Sequence, residues 1–104
     1  MTGSESQIEW AERIKPLVNA EFDRVAQAFH VVASHQGTEA RLETGAVIAI
    51  LEEKRAEAMG QDAAGYFIRE WGEMKDQVRR MIAADPRYQA MQEKSAAAKT
   101  THTD

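Results

Sequence analysis

The sequence predicts an all-α protein, an antiparallel up-down bundle of three principal helices followed by a short C-terminal helix. Three observations predict it. Glycine and proline are sparse, at 6 and 2 of 104 residues, and strong helix formers make up most of the chain. Large apolar residues recur every three or four positions over long stretches. The joints between these stretches are about three to five residues long, which places successive helices antiparallel.

The first helix is predicted to begin at Ser6-Gln7-Ile8-Glu9, which fits a capping box. Pro16 lacks the backbone donor and usually kinks or ends a helix. The apolar spacing nevertheless continues across Pro16, so we predict one helix kinked there rather than two helices. Gly37 is predicted to be the left-handed residue that ends it. The residues that set the spacing are Ala11, Ile14, Val18, Phe22, Val25, Phe29 and Val32.

The second helix is predicted from Thr38 to Met59, before Gly60. The segment GAVIAIL (45–51) could be a buried strand in isolation, but the chain has no second strand-like segment to pair with it, so we predict helix. The N-terminal half of this helix is apolar on all sides, which a helix on the outside of a bundle cannot bury. With Leu42, Ala46 and Ala49 on the core face, Ile50 lies on a flank about 80° away, and three further apolar residues lie more than about 100° away: Val47, Ile48 and Leu51. Either the helix is central, or its outer face meets a second chain.

A third helix is predicted from Asp62 to about Ala84, with an apolar seam of Phe67, Trp71, Met74, Val78 and Met81. Gly72 is unexpected inside it, since glycine costs about 1 kcal/mol there relative to alanine. A glycine here indicates either neutral sequence drift on an exposed helix face or close approach by another backbone. Asp85-Pro86 is typical of a helix start and predicts a fourth helix to about Ala98. Residues 1–98 would then form one domain and 99–104 a disordered tail.

Charge and composition exclude several classes of protein. The net charge is −4, and residues 1–62 carry 6 basic and 11 acidic side chains, which argues against nucleic-acid binding. There is no cysteine, which excludes disulfides, thiolate metal sites and thiol nucleophiles. The N-terminus lacks the pattern of a secretory signal, and the longest apolar run, AVIAIL (46–51), is far shorter than a membrane span. We therefore expect a cytoplasmic protein with no membrane partner.

The histidines of the first helix do not form a metal site within that helix. His30 and His35 point about 140° apart, and no carboxylate lies three or four residues from either within the helix. Glu53 and Glu57 are spaced like a pair of catalytic carboxylates, but charged outer faces have the same spacing, and no second catalytic group is in register. We expect no enzyme activity and no cofactor.

Three functions follow in order of preference. The first is a non-enzymatic interaction or regulatory protein that acts as a homodimer and could bind a basic protein; its interface would comprise Val47, Ile48, Leu51, Trp10, Leu17 and Val31. The second is a ferritin-like metal-binding bundle, with His30, Glu53 and Glu57 as weak candidate ligands assembled across a dimer. The third, ranked last, is a nucleic-acid-binding module that uses Lys75, Arg79 and Arg80; a solvated helix face is the preferred explanation of that cluster.

Overall fold

The computed structural model describes residues 1–73 and 76–101, and for residues 95–101 it describes the backbone only. Over that part of the chain, five helices follow one another: α1 (Glu5–Ser34), α2 (Thr38–Met59), α3 (Ala64–Trp71), α4 (Gln77–Ala83) and α5 (Pro86–Thr101). The all-α prediction is confirmed, but the third predicted helix is two helices. Residues 99–101 of the predicted tail belong to α5, and 102–104 lie outside the described residues.

The start of α1 lies two residues before the predicted one. Ser4 is the N-cap: its hydroxyl accepts a hydrogen bond from the Gln7 backbone N–H at 3.3 Å, and the Gln7 side chain accepts one from the Ser4 N–H at 2.9 Å. Both Ser4–Gln7 and Ser6–Glu9 fit the capping-box pattern. The segment before α1 is tied to the α2–α3 joint, because the Thr2 N–H donates to the Asp62 carbonyl at 2.7 Å.

The helix α1 runs through Pro16 without interruption, as predicted; the kink at that residue stays a prediction. Its end differs from the prediction, because Gly37 has a φ of −74° and is the N-cap of α2 rather than a left-handed residue. The guanidinium of Arg41 donates to the carbonyls of Ala33 and Gln36 at 3.2 and 3.1 Å. These bonds satisfy carbonyls at the end of α1 that a left-handed glycine would otherwise help to satisfy.

The bounds of α2 and the helical state of 45–51 are confirmed. The predicted core face is wrong: Leu42 is 71% exposed, whereas Val47 and Leu51 are 8% and 0% exposed. Because this helix is apolar on all sides, the spacing alone does not fix its rotation. The observed rotation buries branched side chains rather than the alanines at 46 and 49, which removes more apolar surface from water.

The predicted third helix is interrupted after Trp71, and Asp76 has a left-handed φ of 56° before α4 begins. A Cβ at Gly72 would lie 2.6 Å from the carbonyl oxygen of Ile68, so the close approach is to the preceding turn of the same helix. Met74 and Lys75 lie outside the described residues. The interruption leaves both Trp71 and Val78 buried, at 1% and 0% exposed.

The core runs along α1 and is thin. Its largest fully buried side chains come from four helices: Trp71, Phe22, Phe67, Leu51, Val18, Val25 and Val78. The molecule measures 62 × 23 × 19 Å with a radius of gyration of 16.9 Å, against about 13 Å for a compact domain of roughly this size. An elongated shape leaves more of each long helix at the surface.

Candidate functional site

The outer surface of α1 carries a row of residues at seven-residue intervals, Trp10, Leu17, Arg24 and Val31, which we call the outer row. Its apolar members, Trp10, Leu17 and Val31, are 57%, 58% and 58% exposed. The row lies about 80–140° round the helix from the buried Val18. Large side chains left exposed in register on one helix are typical of an interaction surface.

The charged member of the row is paired within its own helix. The Arg24 Nε donates to both carboxylate oxygens of Glu21 at 3.1 and 3.0 Å. These hydrogen bonds hold the pKa of the Glu21 carboxyl below its ordinary value and raise the pKa of Arg24. The outer row therefore contains a neutralised charge rather than an isolated cation.

A groove lies beside the outer row, where the C-terminal part of α1 meets the first half of α2, α4 and the start of α5. We call it the α1–α5 groove. It contains two cavities of about 410 and 290 Å³ that share three walls, Phe29, Val32 and Tyr88. The larger is otherwise lined by Ala28, Ile82, Ala83 and a single charged residue, Arg79. The smaller has a more polar lining that includes Gln36, Glu43, Thr44 and Gln92.

A network of ion pairs joins α2 to the start of α5. The buried carboxylate of Asp85 lies 3.2 Å from the Lys54 Nζ and 2.9 Å from the Arg87 Nη2. It also accepts the Arg87 backbone N–H at 2.8 Å, which confirms Asp85 as the predicted N-cap of the last helix. Hydrogen bonds from Arg87 hold the pKa of Asp85 well below its usual range. Arg87 in turn lies 2.7 Å from Glu53, so this network positions helices.

The candidate metal ligands are not brought together by one chain. His30 and Glu57 are exposed on different helices, and Glu53 is paired with Arg87. In the residues that the structure describes, no group of three or more histidine, aspartate and glutamate side chains could hold a metal ion. A site assembled across a dimer stays a prediction.

The predicted interface residues divide into two groups. Trp10, Leu17 and Val31 are exposed, as their position outside the main seam of the first helix predicted. Val47 and Leu51 belong to the core of the single chain and Ile48 is half-buried, so the prediction that they form an exposed face of α2 is wrong.

The α1–α5 groove was not predicted. The signal for it was Val32, which continues the apolar seam of α1 but is 49% exposed and lines both cavities.

The basic cluster considered for nucleic-acid binding is described in part, since Lys75 lies outside the described residues. Arg79 lies 3.7 Å from Asp76, an exposed pair within α4 and its cap. Arg79 therefore has an acidic neighbour in the same turn.

No family model matches this chain, and neither the curated proteins nor the solved structures searched include a match to it. Among the helices of the described residues, none combines the length and the apolar character that crossing a membrane requires. Function must therefore be inferred from the surfaces described above.

Proposed function

We propose that this chain is a non-enzymatic interaction or regulatory protein that acts as a homodimer, with the outer row of α1 at the interface. The observation that carries the proposal is the exposure of Trp10, Leu17 and Val31, each more than half exposed at heptad spacing on one continuous helix. The row spans three heptads and about 32 Å of helix, which gives two copies of α1 a long surface to share.

A two-fold antiparallel pairing of α1 with α1 fits the order of residues along the row. With the axis between residues 20 and 21, Trp10 lies opposite Val31 of the second copy and Leu17 opposite its Arg24. The small, exposed Ala20 lies at the centre, where two helices must approach closely. A single charged position in an otherwise apolar row fixes register in coiled coils, and Arg24 is placed to do so.

Within each chain we propose an antiparallel up-down arrangement as the scaffold that presents this row. Two side-chain contacts between neighbouring segments support it. Arg55, late in α2, donates to Asp23 in the middle of α1 at 2.6 Å, whereas Thr44, early in α2, donates to Gln36 just after α1 at 2.6 Å. The acidic character of residues 1–62 would leave the dimer suited to a basic protein partner.

The test is the solution mass by light scattering after gel filtration, at two concentrations. We expect a mass near twice 11.6 kDa for the unmodified chain and near 11.6 kDa for Leu17→Lys, because in this register the lysine would face the like charge of Arg24 of the second copy within the contact. Leu42→Lys is the matched control: Leu42 is 71% exposed on α2, outside the row, and its replacement should leave the dimer intact.

A monomeric unmodified chain at both concentrations would contradict the proposal, as would a Leu17→Lys variant that stays dimeric. The burial of Leu51 makes Leu51→Glu unsuitable for this purpose, since it would place a charge in the core and unfold the chain.

A further inference from the structure

The larger cavity of the α1–α5 groove lies on the same flank of α1 as Trp10. The two residues Trp10 and Ala28 are 18 positions apart, which is five full turns of an α-helix, so both lie about 80° from Val18 on the same side. Ala28 forms part of the wall of the 410 Å³ cavity. The most exposed aromatic residue of α1 and this apolar cavity therefore face in the same direction, at opposite ends of one helix.

We propose that Trp10 of each copy inserts into the 410 Å³ cavity of the other copy and anchors the dimer. This inference rests on the proposed pairing of α1 with α1, which it makes specific. The two-fold axis of this dimer is perpendicular to the plane that contains the two α1 helices. A flank of α1 that lies above this plane in one copy therefore also lies above it in the other copy. In the register given above, Trp10 meets the second copy at Val31, between the cavity-lining Ala28 and Val32.

The size and chemistry of the cavity suit an indole. A tryptophan side chain has about ten non-hydrogen atoms and, even at the roughly 30 Å³ that each water takes in the liquid, would need about 300 Å³. The cavity walls are apolar apart from Arg79 and the hydroxyl of Tyr88. The guanidinium of Arg79 has only an exposed partner, Asp76, at 3.7 Å within the described residues, so it is placed to stack on the indole face. Buried tryptophan in a pocket beside arginine is typical of the residues that dominate interface affinity.

Two substitutions test the two sides of this contact. The change Trp10→Ala removes the inserted group, and we expect the dimer dissociation constant to rise roughly a thousandfold, because two identical anchors are lost. The change Ala83→Phe fills the cavity from its exposed rim and should also dissociate the dimer. Ala84→Phe is its matched control, because Ala84 is the adjacent exposed residue and does not line the cavity.

The measurement is the mass by light scattering over a dilution series, with circular dichroism to verify that each variant keeps its helices. Acrylamide quenching of tryptophan fluorescence adds a second readout: Trp71 is already buried, so loss of quenching on dimer formation reports Trp10. We expect Ala83→Phe to restore quenching while Ala84→Phe does not.

The outcomes separate this inference from the proposed dimer. If the unmodified chain is a dimer and both Trp10→Ala and Ala83→Phe leave its dissociation constant unchanged, the anchor is wrong and the dimer stands. If only one of them has an effect, Trp10 and the cavity do not meet, and the inference is again overturned. Non-additive effects in the double variant, measured against the two single variants, support direct contact. A chain that is monomeric throughout overturns both proposals.

Discussion

Replacing Gly72 by alanine should destabilise the protein, although the same change in most helices stabilises. An added Cβ at this position would lie 2.6 Å from the Ile68 carbonyl oxygen, well inside the roughly 3.3 Å of a close carbon–oxygen contact. Overpacking of this kind costs about 1–3 kcal/mol. The change also lowers the conformational entropy of the unfolded chain. This effect stabilises the folded state by roughly 0.5–1 kcal/mol and offsets part of the loss. We therefore expect a net loss of about 1–2 kcal/mol in the free energy of unfolding.

Gly45 provides the matched control, because it lies inside α2 and an added Cβ there would have nothing within 4 Å. Gly45→Ala should stabilise by about 0.5–1 kcal/mol. Urea unfolding followed by circular dichroism measures both variants, and a change of about 1 kcal/mol corresponds to a Tm shift of roughly 4–8 °C in a domain near this size. A Gly72→Ala variant as stable as the unmodified chain would refute the reasoning. The end of α3 would then accommodate a Cβ at position 72 without a steric cost.

Two further predictions concern buried polar groups. The pKa of Asp85 is lowered in the folded state chiefly by hydrogen bonds from Arg87, with Lys54 adding to it, so its charge contributes stability above the unfolded value of about 4. Asp85→Asn keeps an N-cap side chain and should be less stable than the unmodified chain in urea at pH 7, with the difference shrinking as pH falls below about 4; a pH-independent difference would contradict this. Tyr66→Phe removes the acceptor at 3.2 Å from the indole N–H of the buried Trp71 and should lower the free energy of unfolding by about 1–2 kcal/mol. An unchanged urea midpoint would show that the indole has another partner.

Local signals explain which parts of the fold could be predicted. The bounds of α2 follow from glycines at both ends, and the buried seam of α1 follows from its spacing, which Pro16 does not interrupt. The rotation of α2 could not be predicted, because its apolar residues point in every direction and only the packing partner selects a face. The break after Trp71 was equally hidden, since the seam from Phe67 to Val78 keeps helical spacing across it. There the glycine, rather than the spacing, was the informative residue.

The sequence predicts which residues of the first helix are exposed at the candidate site, but it does not predict the cavity beside them. Trp10, Leu17 and Val31 lie outside the seam of α1, which the sequence pattern alone detects. The α1–α5 groove is lined by residues of four helices, so no pattern within a single segment contains it.

Val47 and Leu51 lie in the core of the single chain, yet apolar side chains that could favour self-association are still exposed on α1. Those two residues cover α1 on one side, and the thin, elongated core leaves the opposite flank of α1 without a covering helix from its own chain within the described residues. The interface that we propose is therefore on α1 rather than α2, because the exposed apolar residues at seven-residue spacing are on α1.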